Sequence, residues 1–461
     1  MPPAVKKGWK VLALLLLYAM VSWGAARLGW AESFVEEETW LSLGAPFRSS
    51  GRAAPPPPPT DGGWVAPVAT ASASAGEHRS GPPPGSWAAW LAKLRARRQG
   101  RPGKLRVLQL GDSELVADGP SREVRARLQA VYGDGGVGFV PVASPVRYYD
   151  HSRVKALPPR SMFPYHFTQS RLDDADYGPA GVAFRATAGA HGKLEVLGEE
   201  GNCRLRLHYA RMPDGGEVKV LADGKEVIAV ATGTEAWAHA VAEAPAIPCP
   251  NLVETRVEGA PARLYGFELE RDGDGLVWST MGVLGARIDQ FAVYAPGRLE
   301  PALAALRPDL LVINFGLNRA AGPWRPPDTY VGEATAVLKR MRAAVPAAAC
   351  LVVAPYPCGD PAQGRPGYVS EGVSLAQREA ATGAGCAFMD RFTLAGGAPQ
   401  IMAWRRTRVP VLSGDFTHLT NQGAARMGQA MADVLLAIFE GRELPPRPLS
   451  LTGIHRPAKA P

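Results

Sequence analysis

Three continuous apolar runs, each separated from the next by a helical pattern, constrain this chain more than any other feature. They are "PDLLVINFG", "CLVVAPYP" and "CAFMD"; "TYVGEATAVLKRMRAAVP" and "EGVSLAQREAATGAG" separate them, and "NQGAARMGQAMADVLLAIFEG" closes the series. An uninterrupted apolar strand is buried on both faces, so strands alternating with helices predict a parallel sheet covered on both sides. A further strand begins at Leu105 in "LRVLQLGDSELVADG", followed by "SREVRARLQAVYG" with Val124, Leu128 and Val131 at helical spacing. Ser113 thereby falls at the carboxyl end of a strand. Ligands of open α/β sheets bind at such ends, where loops and helix N-termini leave free backbone N–H groups.

Between these two halves the texture changes. "VAFRATAGAHGKLEVLG", "CRLRLHYAR", "EVKVLADGKEVIAVATG" and "ARLYGFELERDGDGLVWSTMG" are short alternating runs separated by "DGG", "DGK" and "DGDG" turns. Hairpin signals this closely spaced predict an all-β module, expected over residues 177–277. The flanking α/β parts are then 86–176 and 278–445, with a disordered tail over 446–461. A β module inserted near the crevice is placed to grip a substrate.

The N-terminus predicts location. Lys6, Lys7 and Lys10 precede the uncharged stretch Val11–Ala26, closed by Arg27, which is the pattern of an export signal. It falls short of the ~20 apolar residues of a spanning helix, so residues 1–31 read as either a cleaved signal peptide or a signal anchor. Residues 32–85, including "AAPPPPPTDGGWVAPVATASASAGEHRSGPPPG", are too rich in Pro, Gly and Ala to pack and read as a linker. The bulk of the chain is therefore expected outside the cytoplasm, in the periplasm or cell envelope, free or held to the inner membrane. Five cysteines then face an oxidising compartment. Cys203 and Cys249 suit a disulfide; Cys350, Cys358 and Cys386 leave one thiol unpaired.

Lys and Arg number 51 against 43 Asp and Glu, a net charge of +8. That excess lacks the long basic runs of a nucleic-acid binder, so no nucleic-acid partner is expected. It suits an anionic envelope polymer. The histidines His151, His166, His191, His208 and His239 are scattered without metal-ligand spacing, and no P-loop is present, so neither metal nor cofactor is expected.

Candidate partners for Ser113 lie further along. "INFGLNRAAG" puts Asn318 after a second strand, and "STMGVLGARIDQ" puts Gly282 and Gly285 in a turn after the β module. "SGDFTHLTNQG" sets Asp415 three residues before His418, a spacing that lets the carboxylate accept from imidazole Nδ1 and leave Nε2 as a base. Gly-Asp-Ser, a glycine turn, Gly-x-Asn and Asp-x-x-His, in that order, resemble the four blocks of the SGNH (GDSL-like) hydrolases. The resemblance covers roughly residues 105–116 and 282–440.

It implies a three-layer α/β/α flavodoxin-like domain, here with the inserted β-sandwich-like module. It further implies Ser113 as nucleophile, His418 as base and Asp415 as its orienting acid. The oxyanion hole would comprise the Ser113 N–H, a glycine N–H and the Asn318 side chain, the glycine being Gly285, with Gly282 as second choice. Glu114 stands where the family has Leu, and Arg319 where many members have Asp or Glu. Export, the β insertion and "LAGGAPQIMAWRRT" before Asp415 resemble the peptidoglycan O-acetylesterase branch and related O-acetyltransferases, whose insertion looks like a carbohydrate-binding module.

The expectation is an exported esterase removing O-acetyl groups from cell-wall or envelope polysaccharide, peptidoglycan foremost, through an acetyl-serine. Acetyl transfer to a sugar hydroxyl by the same triad is the alternative enzyme. A non-catalytic glycan-binding envelope protein is the alternative of another class, and a broken triad would mark it.

Overall fold

The computed structural model describes residues 85–451, apart from 170, 321–326, 361–364 and 367. The expected signal or anchor and nearly all of the linker lie outside the described residues. No helix among the described residues is long and apolar enough to cross a membrane.

Helix α1 (Gly85–Arg98) leads into β1 (Lys104–Gly111), the short α2 (Ser113–Val116) and α3 (Gly119–Tyr132). Ten strands follow: β2 (Gly136–Val140), β3 (Val154–Ala156), β4 (Arg160–His166), β5 (Val182–Val196), β6 (Asn202–Arg211), β7 (Glu217–Ala222), β8 (Lys225–Ala231), β9 (Ala238–Pro248), β10 (Leu252–Glu258) and β11 (Ala262–Arg271). The chain returns through β12 (Gly275–Gly282), a 3-10 turn at Ile288–Val293, α4 (Leu299–Ala305), β13 (Leu310–Asn314), α5 (Leu317–Ala320), α6 (Pro327–Ala344) and β14 (Ala349–Val353). It ends with the two-residue strands β15 (Gly359–Asp360) and β16 (Arg365–Pro366), then α7 (Tyr368–Ala384), β17 (Ala387–Met389), α8 (Arg391–Ala395), α9 (Pro399–Arg405) and α10 (Asn421–Glu440).

The five-stranded sheet has the order β12-β1-β13-β14-β17, and all its pairs are parallel. Counting only its own strands, this is the flavodoxin-like order, with its switch point between β1 and β13. Side chains alternate between two cores. Leu105 and Val107 of β1, Leu310 and Val312 of β13, and Leu351 and Val353 of β14 join α1, α3 and α10 on one side. Leu108, Leu110, Leu311, Ile313 and Val352 join α4, α6 and α7 on the other. Burial on both faces is what the uninterrupted apolar runs demanded.

The ten antiparallel strands form one hydrogen-bonded sheet. Strand β5 changes partners along its length, pairing with β4 and β11 through its first half and with β3 and β10 through its second. This sheet corrects the expected boundaries of the β module at both ends. It begins at Gly136 rather than at 177, because β2, β3 and β4 pair into it. At the other end, "GLVWSTMG" does not return as a hairpin from β11; it runs parallel to β1 as β12. A period-2 pattern reports that a segment is a strand but not which sheet it joins.

The hydrophobic residues of the antiparallel sheet share one cluster with one face of the parallel sheet. The module is thus continuous with the α/β core. Disulfides join Cys203 to Cys249 and Cys350 to Cys386, and Cys358 is the free, buried thiol. The tail expected to be disordered from 446 is packed as far as Leu451: Leu449 and Leu451 are buried, and the Trp404 indole N–H donates to the Ser450 carbonyl at 2.6 Å.

Candidate active site

Register brings the strand ends level. Gly111 of β1 lies opposite both Gly282 of β12 and Asn314 of β13, and the row continues through Val353 to Met389. Ser113, Glu114, Gly285, Asn318 and Arg391 all leave the sheet within a few positions of this row.

Gly111 ends β1 where a Cβ would stand 2.5 Å from the Asn314 carbonyl oxygen. The chain then turns through Asp112, whose carboxylate caps α2 by accepting from the Glu114 N–H at 3.2 Å and also accepts from the Leu317 N–H at 3.3 Å. Full burial, with the Glu114 charge beside it, pushes the Asp112 carboxyl up to about 7. Ser113 is the first residue of α2 and is partly exposed.

The structure brings Ser113, His418 and Asp415 into one hydrogen-bonded chain. Ser113 Oγ lies 3.0 Å from His418 Nε2, and His418 Nδ1 lies 2.6 Å from Asp415 Oδ2. Asp415 Oδ1 accepts from the backbone N–H of Thr417 at 3.0 Å and of His418 at 2.9 Å, and from the Ser413 hydroxyl. Burial opposes ionisation of Asp415, but the hydrogen bonds from His418 and Ser413 and the His418 charge outweigh it and hold the carboxyl well below the usual range. Burial likewise disfavours the charged form of His418. The hydrogen bond and charge of Asp415 outweigh it, so the imidazole pKa is raised above its ordinary value. With Nδ1–H committed to Asp415, Nε2 faces Ser113 as the acceptor.

The two glycines are distinguished by their surroundings. A Cβ on Gly282 would meet the Val116 nitrogen at 2.5 Å, so Gly282 lets β12 pack beneath α2. Gly285 sits in a turn at φ +70 with open space where a Cβ would go. The N–H groups of Ser113 and Gly285 have no backbone partner among the described residues. Asn318, on α5, donates one side-chain N–H to the Ala286 carbonyl at 3.0 Å, which leaves its second N–H for another acceptor. The arrangement can abstract a proton from a serine oxygen, and it leaves N–H groups on Ser113, Gly285 and Asn318 without an acceptor among the described residues.

Sequence reasoning missed two buried pairs beside these groups. Glu114 accepts from Arg391 Nη1 at 2.6 Å and Nη2 at 2.9 Å, and from Asn314 Nδ2 at 2.9 Å. Arg319, next to Asn318, donates to Asp289 at 3.0 Å and stands 5.2 Å over the Tyr330 ring. The departures of Glu114 and Arg319 from the family pattern were the only signal, since a charged residue in an apolar strand-end context has to find a partner.

Among the described residues, no group of three or more His, Cys, Asp or Glu is arranged to hold a metal. Cavities of about 430 and 400 Å³ lie against α1, α3 and α10, away from Ser113. The His418 and Asp415 side chains are mostly buried but reach solvent, at 27% and 29% exposure.

Residues 253–426 match the GDSL-like lipase/acylhydrolase family, a span that holds Gly285, Asn318, Asp415 and His418 but not Ser113. No curated protein sequence matches the chain. Among solved structures, a peptidoglycan O-acetylesterase is similar with 23% identity over 76% of this chain and 96% of that chain, at a TM-score of 0.64. A lipase/acylhydrolase from Enterococcus faecalis has 15% identity over 35% of this chain and 76% of that one, at a TM-score of 0.27. A family two carbohydrate esterase from Cellvibrio japonicus has 11% identity over 66% of this chain and 98% of that one, at 0.26. The last two superpose too loosely to carry an argument. Residues 253–426 are thus similar to the GDSL-like lipase/acylhydrolase family, and the chain carries that likeness on a flavodoxin-like parallel sheet, with the four blocks in the order in which the SGNH (GDSL-like) hydrolases have them.

Proposed function

We propose that this protein is an exported ester hydrolase of the SGNH type that removes O-acetyl groups from a cell-wall or envelope polysaccharide, peptidoglycan foremost, with Ser113 as nucleophile, His418 as base and Asp415 as orienting acid. The observation that carries the reading is the unbroken chain from Ser113 Oγ through His418 to Asp415 at the carboxyl edge of the sheet. Likeness in fold to a peptidoglycan O-acetylesterase over nearly that protein's whole length supports the substrate class. Partial exposure of His418 and Asp415 leaves an ester displayed on a polymer a way to the site, and the basic N-terminal segment supports export.

His418 Nε2 takes the Ser113 proton as Oγ attacks the acetyl carbonyl carbon. The resulting oxyanion accepts from the N–H groups of Ser113 and Gly285 and from the free N–H of Asn318, each such donor lowering the barrier by about 3 kcal/mol in comparable sites. The tetrahedral adduct collapses, the sugar oxygen leaves with the proton held on Nε2, and acetyl-Ser113 remains. Water then gives one proton to Nε2 and attacks the acyl carbon; Ser113 Oγ leaves, taking that proton back from Nε2, and acetic acid departs and loses its remaining proton to solvent as acetate.

Purified protein incubated with O-acetylated peptidoglycan is expected to release free acetate, with transient acetylation of the peptide containing Ser113 seen by mass spectrometry. Capture of most of the acetyl group by an added unacetylated oligosaccharide would replace hydrolysis with transfer. Acetate release undiminished in Ser113→Ala would remove the nucleophile assignment.

A further inference from the structure

Ser113 opens a helix of only four residues, which cannot by its own hydrogen bonds hold a nucleophile in place. Its position depends on what the following residue grips. Glu114 points inward, and its carboxylate receives both terminal nitrogens of Arg391, a guanidinium with no solvent exposure, as well as the Asn314 amide. Arg391 Nε donates to the Ala354 carbonyl at 2.6 Å, just past the end of β14. The same guanidinium lies 5.1 Å over the ring of Tyr356, whose hydroxyl donates to the Thr417 carbonyl at 2.9 Å, next to His418. One cation thus touches the support of the nucleophile on one side and the support of the base on the other.

An ion pair buried this deeply gains little stability over apolar side chains of the same volume, because both charges lose their hydration. What a guanidinium supplies that an apolar pair lacks is geometry: a planar fork of donors that fixes several acceptors in one plane. We propose that Glu114 and Arg391, with Tyr356, are positioning residues that set the separation of Ser113 Oγ from His418 Nε2 by coupling the β1 turn to the histidine loop. The inference rests on the proposed roles of Ser113 and His418.

The test uses the full chain and two variants. Glu114→Leu/Arg391→Met replaces the pair with apolar side chains and leaves no unpaired charge, and Arg391→Lys keeps the charge but loses the fork. Each is measured for melting temperature, for kcat and KM on p-nitrophenyl acetate, and for the rate of covalent labelling of Ser113 by a fluorophosphonate. In variants that melt within a few degrees of the parent, kcat and the labelling rate are each expected to fall about 10- to 100-fold, the scale of a misplacement near 1 Å. KM stays within about twofold in that case. Folded variants that label Ser113 and turn over at parental rates overturn this inference alone. Unfolding of both variants also counts against it, since it would make the pair a stability element. Labelling of the parent at a residue other than Ser113 would instead remove the reading of the active site, and this inference with it.

Discussion

The serine side and the histidine side of the site meet across one 3.0 Å contact, yet they are held in opposite ways. Ser113 sits on a turn braced from far along the chain, by Asn314 from β13 and by Arg391 at the start of α8. His418 sits in a loop built largely from itself. Ser413 N–H donates to the His418 carbonyl at 2.8 Å, Asp415 accepts from Ser413, Thr417 and His418, and Leu412 bridges to Leu419. Phe416 adopts φ +59 so that the loop can close this tightly. Outside supports include Tyr356, Gly359, whose carbonyl accepts from the Thr417 hydroxyl and whose N–H donates to the Phe416 carbonyl, and Arg405, which donates to the Leu412 carbonyl at 3.2 Å and stands over the Phe416 ring. The lesson is that a catalytic pair needs both members positioned but not by the same means.

The largest expected effect tests whether unequal anchoring means unequal importance. Ser113→Ala and His418→Ala should each lower kcat/KM on a small acetyl ester by about 10³-fold or more, with melting temperatures close to the parent, because triad members act as a unit. A His418→Ala enzyme only a few-fold slower would break the symmetry and the triad with it.

Asp415→Asn comes next, with an expected loss of up to about 10⁴-fold, short of that from removing the nucleophile or base. Activity requires neutral His418, so the acid limb of the kcat/KM profile follows the His418 pKa, which Asp415 raises. Removing that charge lowers the pKa, and the acid limb of Asp415→Asn should move to lower pH. Asn318→Ala should cost about 10²-fold in kcat with little change in KM, the loss of a donor used only in the transition state.

Stability should then separate the two sides. Gly111→Ala forces a Cβ to within 2.5 Å of the Asn314 carbonyl, and urea unfolding is expected to show a loss of about 2–3 kcal/mol. Phe416→Asn, at a backbone conformation that asparagine tolerates, should stay within about 1 kcal/mol. Equal losses would mean that the histidine loop is as deeply embedded as the serine turn. The smallest effect is expected of Tyr356→Phe, which removes one hydroxyl bond to the loop: about 1 kcal/mol and a few-fold in kcat.

Asp415 and His418 were legible in the sequence because three residues of spacing suffice to make them touch. Glu114 and Arg391 were not, since they lie 277 positions apart and nothing local distinguishes a charged residue bound for burial from a solvated one. The early strands β2 and β4 escaped notice for a different reason. "GVGFV" is glycine-rich and "RSMFPYH" contains a proline, both of which weaken a strand signal.

By itself, the sequence determined what is periodic or local: apolar runs that must be buried on both faces, amphipathic helices to cover them, and the Asp415–His418 pair. Only the tertiary structure decided which sheet each strand joined, how the strand ends align from Gly282 through Gly111 to Asn314, and which charges lie beneath the serine. The physical reason is range. Periodicity and turn chemistry act over a few residues, whereas register, close approach and buried ion pairing arise between segments that the chain brings together only when it folds.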